Sequence, residues 1–132
     1  MNRFSKVTRG EGFAKDLKKL LKRHRSLEQD LEVFVKAQLY AYHKLQADNN
    51  GIFLIDNLGF ESPKMFKAKK FACKALKGKG ARSGIRVIYS YLQESDEIYL
   101  LEIYSKTDQE NEDRDRIKNF AATYLEMCSV LI

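Results

Sequence analysis

Residues 62–93 read SPKMFKAKKFACKALKGKGARSGIRVIYSYLQ. This stretch holds nine Lys or Arg residues and no Asp or Glu, whereas the rest of the 132-residue chain has 15 basic and 18 acidic residues. The net charge of +6 is therefore concentrated here. Two strand-like runs, residues 65–73 and Ile85–Leu92, flank a glycine-rich loop at residues 77–84. Such a surface is typical of a phosphate-binding platform, although an ordinary solvated lysine face has the same composition.

The strands that follow have a clear alternation. Ile85–Leu92 and residues 98–104 are rich in aromatic and β-branched side chains, and the polar residues 93–97 between them predict a hairpin turn. In the last strand Leu101 and Ile103 are expected on one face, opposite a face that carries Glu102, Tyr104 and Lys106. In the middle strand the same alternation predicts one face with Ile85, Val87, Tyr89 and Tyr91 and another with Arg86, Ile88 and Ser90.

The N-terminal part of the chain predicts a strand and two helices. Residues 3–8 alternate weakly and predict a short first strand, which two glycines end. From Phe13 onward, apolar residues recur at helical spacing. Residues 26–29 are typical of a capping box, in which the Ser26 hydroxyl and the Gln29 side chain bind free backbone donors of a second helix that reaches about Gln46. The tight turn between the helices predicts an antiparallel pair.

Two further segments surround the basic stretch. Residues 52–55 form a short apolar run, interpreted either as an extra strand or as a cover over the core. Residues 107–110 predict a second capping box, which opens a helix that buries Ile117, Phe120, Ala121, Tyr124 and Met127. The acidic cluster is formed by Asp108, Glu110, Glu112 and Asp113. Carboxylates in a first helical turn are stabilised by the helix dipole by about 0.3–1 kcal/mol each, and a catalytic or metal-binding role is the alternative.

These patterns predict an α+β fold over residues 1–132 as one domain. An antiparallel sheet of about four strands is expected to pack against two N-terminal helices, with a C-terminal helix following. The composition, 44% hydrophobic and 32% charged, is that of a soluble folded chain. Cys73 and Cys128 form no paired motif, and no run approaches the roughly 20 apolar residues of a membrane span. We therefore expect reduced thiols, no membrane partner and a cytoplasmic location.

Several chemistries are disfavoured by the motifs that the sequence lacks. His24 and His43 are the only histidines, and neither has a Cys or carboxylate set at metal-ligand spacing. The glycine-rich loop lacks the spacing of a phosphate-binding GxxxxGK[ST] motif, and no nucleophile elbow or dinucleotide fingerprint is present. The strand tyrosines suit either base stacking or packing.

Residues 76–89, LKGKGARSGIRVIY, and then residues 99–106, YLLEIYSK, resemble the RelE/HigB superfamily of toxins from bacterial type II toxin–antitoxin modules. Residues 13–20, FAKDLKKL, resemble the first helix of that family. The predicted order of strand, two helices, three strands and helix matches its α+β architecture. The similarity covers most of the chain and is most specific over residues 64–106.

The resemblance implies an endoribonuclease that cleaves mRNA, in the best-known members within the ribosomal A site. It also implies that no metal or other cofactor is used, and that the partners are mRNA, the ribosome and a cognate antitoxin. Cleavage requires the ribose 2′-hydroxyl to attack the adjacent phosphorus. The protein must then supply a base, charge stabilisation and a proton for the leaving 5′-oxygen.

Position by position, the resemblance assigns a role to five side chains. Arg86 is expected to stabilise the phosphate, for which its planar fork is suited. Lys67 and Lys69 are expected to stabilise charge or assist proton transfer, and Lys106 to act as proton donor or phosphate clamp. Tyr104 is expected either to orient the RNA or to pack. The residues expected to bind the RNA backbone are Lys70, Lys77, Lys79 and Arg82.

This chain departs from some members, which place a further Arg and Tyr where it has Thr107 and Asp108. Two other hypotheses stay open at this stage. One is a non-catalytic ParE-like toxin that inhibits gyrase, and the other is a plain RNA-binding or ribosome-binding module. The sequence also leaves open the codon preference, the general base, the oligomeric state and the role of residues 47–63.

Overall fold

The computed structural model describes residues 3–130 of the chain. No helix in that range is both long enough and apolar enough to cross a membrane. Along the chain the elements are β1 (Lys6–Arg9), α1 (Glu11–Leu21), α2 (Leu27–Val33), a π-helical segment (Phe34–Leu39), α3 (Tyr40–Lys44), β2 (Ile52–Leu54), β3 (Met65–Ala68), β4 (Ile85–Leu92), a 3₁₀ turn (Gln93–Ser95), β5 (Glu97–Ser105) and α4 (Arg114–Val130).

The five strands form one mixed sheet in the order β1-β5-β4-β3-β2. The α+β class is as predicted, but the expectation of about four antiparallel strands is wrong in two respects. The apolar run at residues 52–55 supplies a fifth strand, β2, which pairs with β3 at the edge of the sheet. At the opposite edge β1 pairs parallel to β5, with Val7 opposite Ile98. Parallel strands cannot be joined by a tight turn. β1 and β5 meet this condition because α1 to α3 and β2 to β4 lie between them in the chain.

Helices cover both faces of the sheet, whereas the sequence placed the core against the N-terminal helices. On one face, here called the α1 face, Ile85, Val87 and Tyr89 pack with side chains of α1 and α2. On the other, the α4 face, Ile88 packs with Ile117 of α4. The predicted alternation of β4 is therefore confirmed, but that of the last strand is wrong at Leu101, which lies at a register shift and packs on the α4 face. Because α4 covers only part of its face, that face has both a buried region and an open region.

The second helix differs from its predicted form. The helical rod runs through α2, the π-helical segment and α3, and ends at Lys44. The predicted capping box at residues 26–29 is wrong, since the Ser26 side chain makes no cap hydrogen bond. Its hydroxyl instead donates to Asp30 Oδ2 at 2.6 Å and accepts the amide of Ala75 at 2.8 Å. Asp30, which is 4% exposed, also accepts the Lys74 amide at 3.1 Å, so this pair holds the chain that follows β3.

The C-terminal helix begins later than predicted. α4 starts at Arg114, and the Arg116 amide donates to Asp113 Oδ1 at 3.1 Å, which makes Asp113 the capping residue instead of Thr107. Ile117 and Ala121 are buried as predicted, but Met127 is 62% exposed. The segment 106–113 is therefore a connection that crosses from β5 to α4 along the α4 face.

β3 is shorter than the predicted run of residues 65–73, since it ends at Ala68. Phe71 leaves the strand, is fully buried on the α1 face and forms an isolated bridge with Arg82. The turn that follows contains Gly78 at φ +78° and Gly80 at φ +56°. Positive φ angles favour glycine, so the loop has its glycines for a geometric reason.

Candidate functional site

Strands β3 and β4 bring three of the predicted site residues to the same face of the sheet. Lys67 lies opposite Ile88 and Arg86 lies opposite Tyr104, and residues directly opposite in a sheet point to the same side. Lys69 follows Lys67 by two residues, and its carbonyl accepts Arg86 Nη1 at 2.9 Å. Lys67, Lys69, Arg86 and Tyr104 therefore share the α4 face.

Lys106 extends this group by one ladder position. Its amide donates to the Gly84 carbonyl at 2.9 Å, so the pairing of β4 with β5 continues past Ser105. By strand alternation its side chain lies on the side of Tyr104. Lys106 and Lys69 are exposed and Arg86 is partly exposed. We call Lys69, Arg86 and Lys106 the cationic end of the α4 face, because all three lie where β4 begins.

Lys67 is mostly buried and is paired. Its ammonium donates to Glu112 Oε1 at 2.9 Å, and the two side chains are 14% and 9% exposed. Burial by itself lowers the pKa of Lys67, but the hydrogen bond to Glu112 and the nearby Tyr104 outweigh it and the pKa is raised. Burial likewise opposes ionisation of Glu112, yet the contacts with Lys67 and Arg114 give it a lowered pKa. Both groups are therefore held in their charged forms.

Tyr104 is almost completely buried. It is 5% exposed and packs with Ile88 and Ile117. Its hydroxyl has no hydrogen-bond partner of good geometry among the described residues, although Lys67 is close enough to affect its ionisation. Burial raises the pKa of Tyr104 and the Lys67 ammonium lowers it by a smaller amount. In this arrangement the phenol is a neutral group beneath the cationic end.

The acidic cluster has a different explanation from the predicted helix-dipole effect. Only Asp115 lies in the first turn of α4. Asp108 pairs with Arg23, Glu112 pairs with Lys67, and Asp113 caps the helix. Within residues 3–130 no group of three or more His, Cys, Asp or Glu side chains is arranged to hold a metal ion. These carboxylates anchor the connection between β5 and α4.

Glu102 anchors the same connection from the sheet. It is 3% exposed and accepts Gln109 Nε2 at 2.8 Å and the Asp113 amide at 2.9 Å. Burial raises the pKa of Glu102, and these two hydrogen bonds partly offset that effect. Glu102 and Glu112 thus tie the segment 106–113 to the face that carries the predicted site.

The predicted RNA-binding residues separate into two groups. Lys77, Lys79 and Arg82 are exposed on the loop between β3 and β4, which places them at the same end of the sheet as Arg86. The loop is held at its base by the Phe71 amide, which donates to the Ala81 carbonyl at 3.3 Å. Lys70 is directed elsewhere, since its ammonium donates to the Asn49 carbonyl at 2.5 Å. Lys70 therefore holds the segment that leads into β2.

Two residues near the predicted site were missed by the sequence analysis. Glu112 was assigned to the helix dipole, and Phe53 was part of an apolar run of open role. Phe53 pairs with Lys67 across β2 and β3, and Lys69 Nζ lies 4.9 Å from the centroid of its ring. Neither contact has a local sequence signal, because each joins residues that are far apart in the chain.

His43 packs on the opposite side of the sheet. His43 Nε2 lies 2.8 Å from the Tyr89 hydroxyl, among the rings of Tyr42, Phe66 and Tyr91. Burial lowers the pKa of His43 to about 4, so the ring is neutral at physiological pH. His43 belongs to the packing of the α1 face, away from the cationic end.

Comparisons with known protein families, with curated proteins and with solved structures find no significant match for this chain. The chemistry of the α4 face is therefore the guide to function. That face joins three cations at an open end to a mostly buried Lys–Glu pair and a buried phenol. Such an arrangement can bind a phosphodiester and stabilise added negative charge on it.

Proposed function

We propose that this chain is a toxin of a toxin–antitoxin module and an endoribonuclease that cleaves mRNA, with the ribosome presenting the substrate. The observation that carries the proposal is the grouping of Lys69, Arg86 and Lys106 at one end of a single sheet face. In-line attack on a phosphodiester produces a phosphorane with extra negative charge, and preorganised cations stabilise that charge. The order of the elements also supports the proposal, since β1, the helices, β3 to β5 and α4 follow one another as expected for the family.

In the proposed reaction the ribose 2′-oxygen bonds to the adjacent phosphorus and the bond to the 5′-oxygen breaks. The 2′-hydroxyl loses a proton to a base and the 5′-oxygen gains one, so the products are a 2′,3′-cyclic phosphate and a 5′-hydroxyl. Arg86 is assigned to the non-bridging phosphate oxygens, because its guanidinium makes bidentate contacts. Lys69 adds positive charge, and Lys106 is the proton donor or a second phosphate clamp.

Control by a cognate antitoxin belongs to the same proposal. Nine cations without a carboxylate over residues 62–93 would attract an acidic segment of a partner protein. Such a segment would occupy the surface that the substrate needs. Neutralisation would then be competitive with RNA.

A second candidate function, RNA or ribosome binding without cleavage, is favoured by one specific observation. Lys67 is paired with Glu112 and Tyr104 is 5% exposed, so two of the five assigned side chains are already engaged. The three cations of the cationic end are sufficient for binding, because contact with a phosphate backbone requires charge and no proton transfer.

Cleavage on translating ribosomes tests the proposal. Wild type, Arg86→Ala and Lys6→Ala are incubated with ribosomes on a defined mRNA, and new 5′ ends are mapped and quantified. We expect codon-dependent cuts that Arg86→Ala slows at least tenfold, or about 1.4 kcal/mol of transition-state stabilisation. Lys6→Ala removes the same charge from β1, at the far side of β5 from Arg86, and should cut like wild type.

The outcomes separate the candidates. Equal cutting by Arg86→Ala would remove Arg86 from the mechanism. Wild type that binds ribosomes and produces no new 5′ ends would support the second candidate. Absence of cutting together with inhibition of gyrase would instead favour the ParE-like hypothesis.

A further inference from the structure

Phe53 is an exposed aromatic ring on the same face as the cationic end. It is the central residue of edge strand β2 and is 44% exposed. Its neighbours point to the α1 face, where Ile52 is 4% exposed and Leu54 is 48% exposed. Because Phe53 lies directly opposite Lys67, its ring extends the α4 face beyond β3.

The ring is adjacent to one cation, which in turn contacts a second. Lys69 Nζ lies 4.9 Å from the Phe53 ring centroid, within the range of a cation–π contact. Arg86 Nη1 donates to the carbonyl of the same Lys69 at 2.9 Å. The order across the sheet is therefore aromatic ring, lysine and arginine.

We propose that Phe53 is a stacking platform for an unpaired base of single-stranded RNA, whose neighbouring phosphates are bound by Lys69 and Arg86. Every base has a flat π-face, and stacking on an exposed aromatic beside a basic groove is how single strands are bound without duplex structure. A base within a duplex is already stacked on both sides, so duplex RNA would offer only its phosphates to this surface. The inference depends on the proposed function for the nature of the ligand, and it concerns binding instead of cleavage.

The short edge and its exposed ring favour this occupant over a protein strand paired to the free edge of β2. β2 has three residues, which is a short template for strand addition, and the adjoining stretch 62–93 has nine cations and no carboxylate. A single strand of RNA matches the exposed ring and the cations without any backbone pairing, whereas a peptide strand would depend on pairing with only three residues.

Tryptophan fluorescence gives a direct test, because the chain contains no tryptophan. Phe53→Trp places the sole indole at the proposed platform. We expect its emission to be quenched by single-stranded deca-adenylate, and to be unchanged by an abasic ribose-phosphate decamer or by a ten-base-pair RNA duplex. Quenching by the abasic strand to the same extent would overturn the proposal, since no base could then be stacking.

Binding measured by fluorescence anisotropy with labelled decamers gives the second test. We expect Phe53→Ala to weaken deca-adenylate binding about tenfold, Phe53→Tyr to restore it, and neither change to affect the abasic strand. Leu54→Ala, which removes an equally exposed apolar side chain from the other face of β2, should bind like wild type. An equal effect of Phe53→Ala on both strands would overturn the stacking proposal.

These results are distinguishable from failure of the proposed function. If wild type binds deca-adenylate through Phe53 but never cleaves RNA, the stacking proposal is retained and the nuclease proposal fails. If wild type binds and Phe53→Ala changes nothing, only the stacking proposal fails. Absence of any RNA binding by wild type would overturn both.

Discussion

Replacing Glu112 by Gln is expected to lower the free energy of unfolding by about 3 kcal/mol, because it leaves the mostly buried Lys67 ammonium without its counter-charge. At the observed separation of 2.9 Å, an effective dielectric constant of about 20 gives a gross attraction of roughly 6 kcal/mol. Part of that attraction offsets the desolvation of the two ions in the intact pair. Glu112→Gln removes the attraction but recovers only the free-energy cost of desolvating Glu112. The free energy of unfolding should therefore fall by about 3 kcal/mol.

The assay is equilibrium unfolding in urea at pH 7, followed for Glu112→Gln, Lys67→Met and the double variant. Lys67→Met is expected to lower the free energy of unfolding by less than Glu112→Gln does, because Arg114 Nη2 still lies 3.7 Å from the Glu112 carboxylate. The double variant removes both ions, so its loss of unfolding free energy should be smaller than the sum of the two single-variant losses by at least about 1.5 kcal/mol.

An exposed pair on α1 provides the matched control. Lys15 and Glu11 lie 3.9 Å apart with side chains 76% and 90% exposed, and Glu11→Gln should cost less than about 0.5 kcal/mol. If the changes at Lys67 and Glu112 are additive within about 0.5 kcal/mol, the two residues do not form the coupled buried pair on which this reasoning depends.

Two further predictions concern buried polar groups. Tyr104→Phe should leave the free energy of unfolding unchanged or raise it by up to about 1 kcal/mol, because the removed hydroxyl lacks a hydrogen-bond partner among the described residues; a loss above about 1 kcal/mol in urea would contradict this. His43 has a pKa of about 4 in the fold against 6.5 unfolded, so the unfolded chain binds the proton first and stability should fall as pH decreases from 6.5 to 4. Thermal melts should show a weaker pH slope for His43→Gln, and equal slopes would count against the assignment.

The parts of the fold predicted from sequence are those with strong local periodicity. The helical spacing from Phe13 corresponds to α1, and the alternation of Ile85–Leu92 gives β4 with the faces expected. The hairpin turn alone would place Arg86 opposite Ile103, and its position opposite Tyr104 depends on a register shift within the β4–β5 pair that local rules do not predict.

The features that were predicted incorrectly depend on long-range contacts. The parallel pairing of β1 with β5 joins residues about 90 positions apart, and four residues of weak alternation contain no signal for it. Both predicted capping boxes have the residue pattern of the motif, but contacts with distant parts of the chain form in their place. Ser26 binds the Ala75 amide, and the segment after β5 is held by Glu102 and Lys67, which delays the start of α4 until Asp113 can cap it.

The pairing of Lys67 with Glu112 also changes which side chains would act on a substrate. Glu112 cancels one positive charge of the α4 face and does so beside the buried Tyr104, so the net charge available to a phosphate comes from Lys69, Arg86 and Lys106. Under the proposed function, the scissile phosphodiester would bind at that open end, and Lys67 would act by holding the segment 106–113 in place. Replacement of Lys67 would then affect cleavage through the position of Lys106, at the start of that segment, whereas replacement of Arg86 would act on the phosphate itself. The sequence assigned both residues the same kind of role, and their burial separates them.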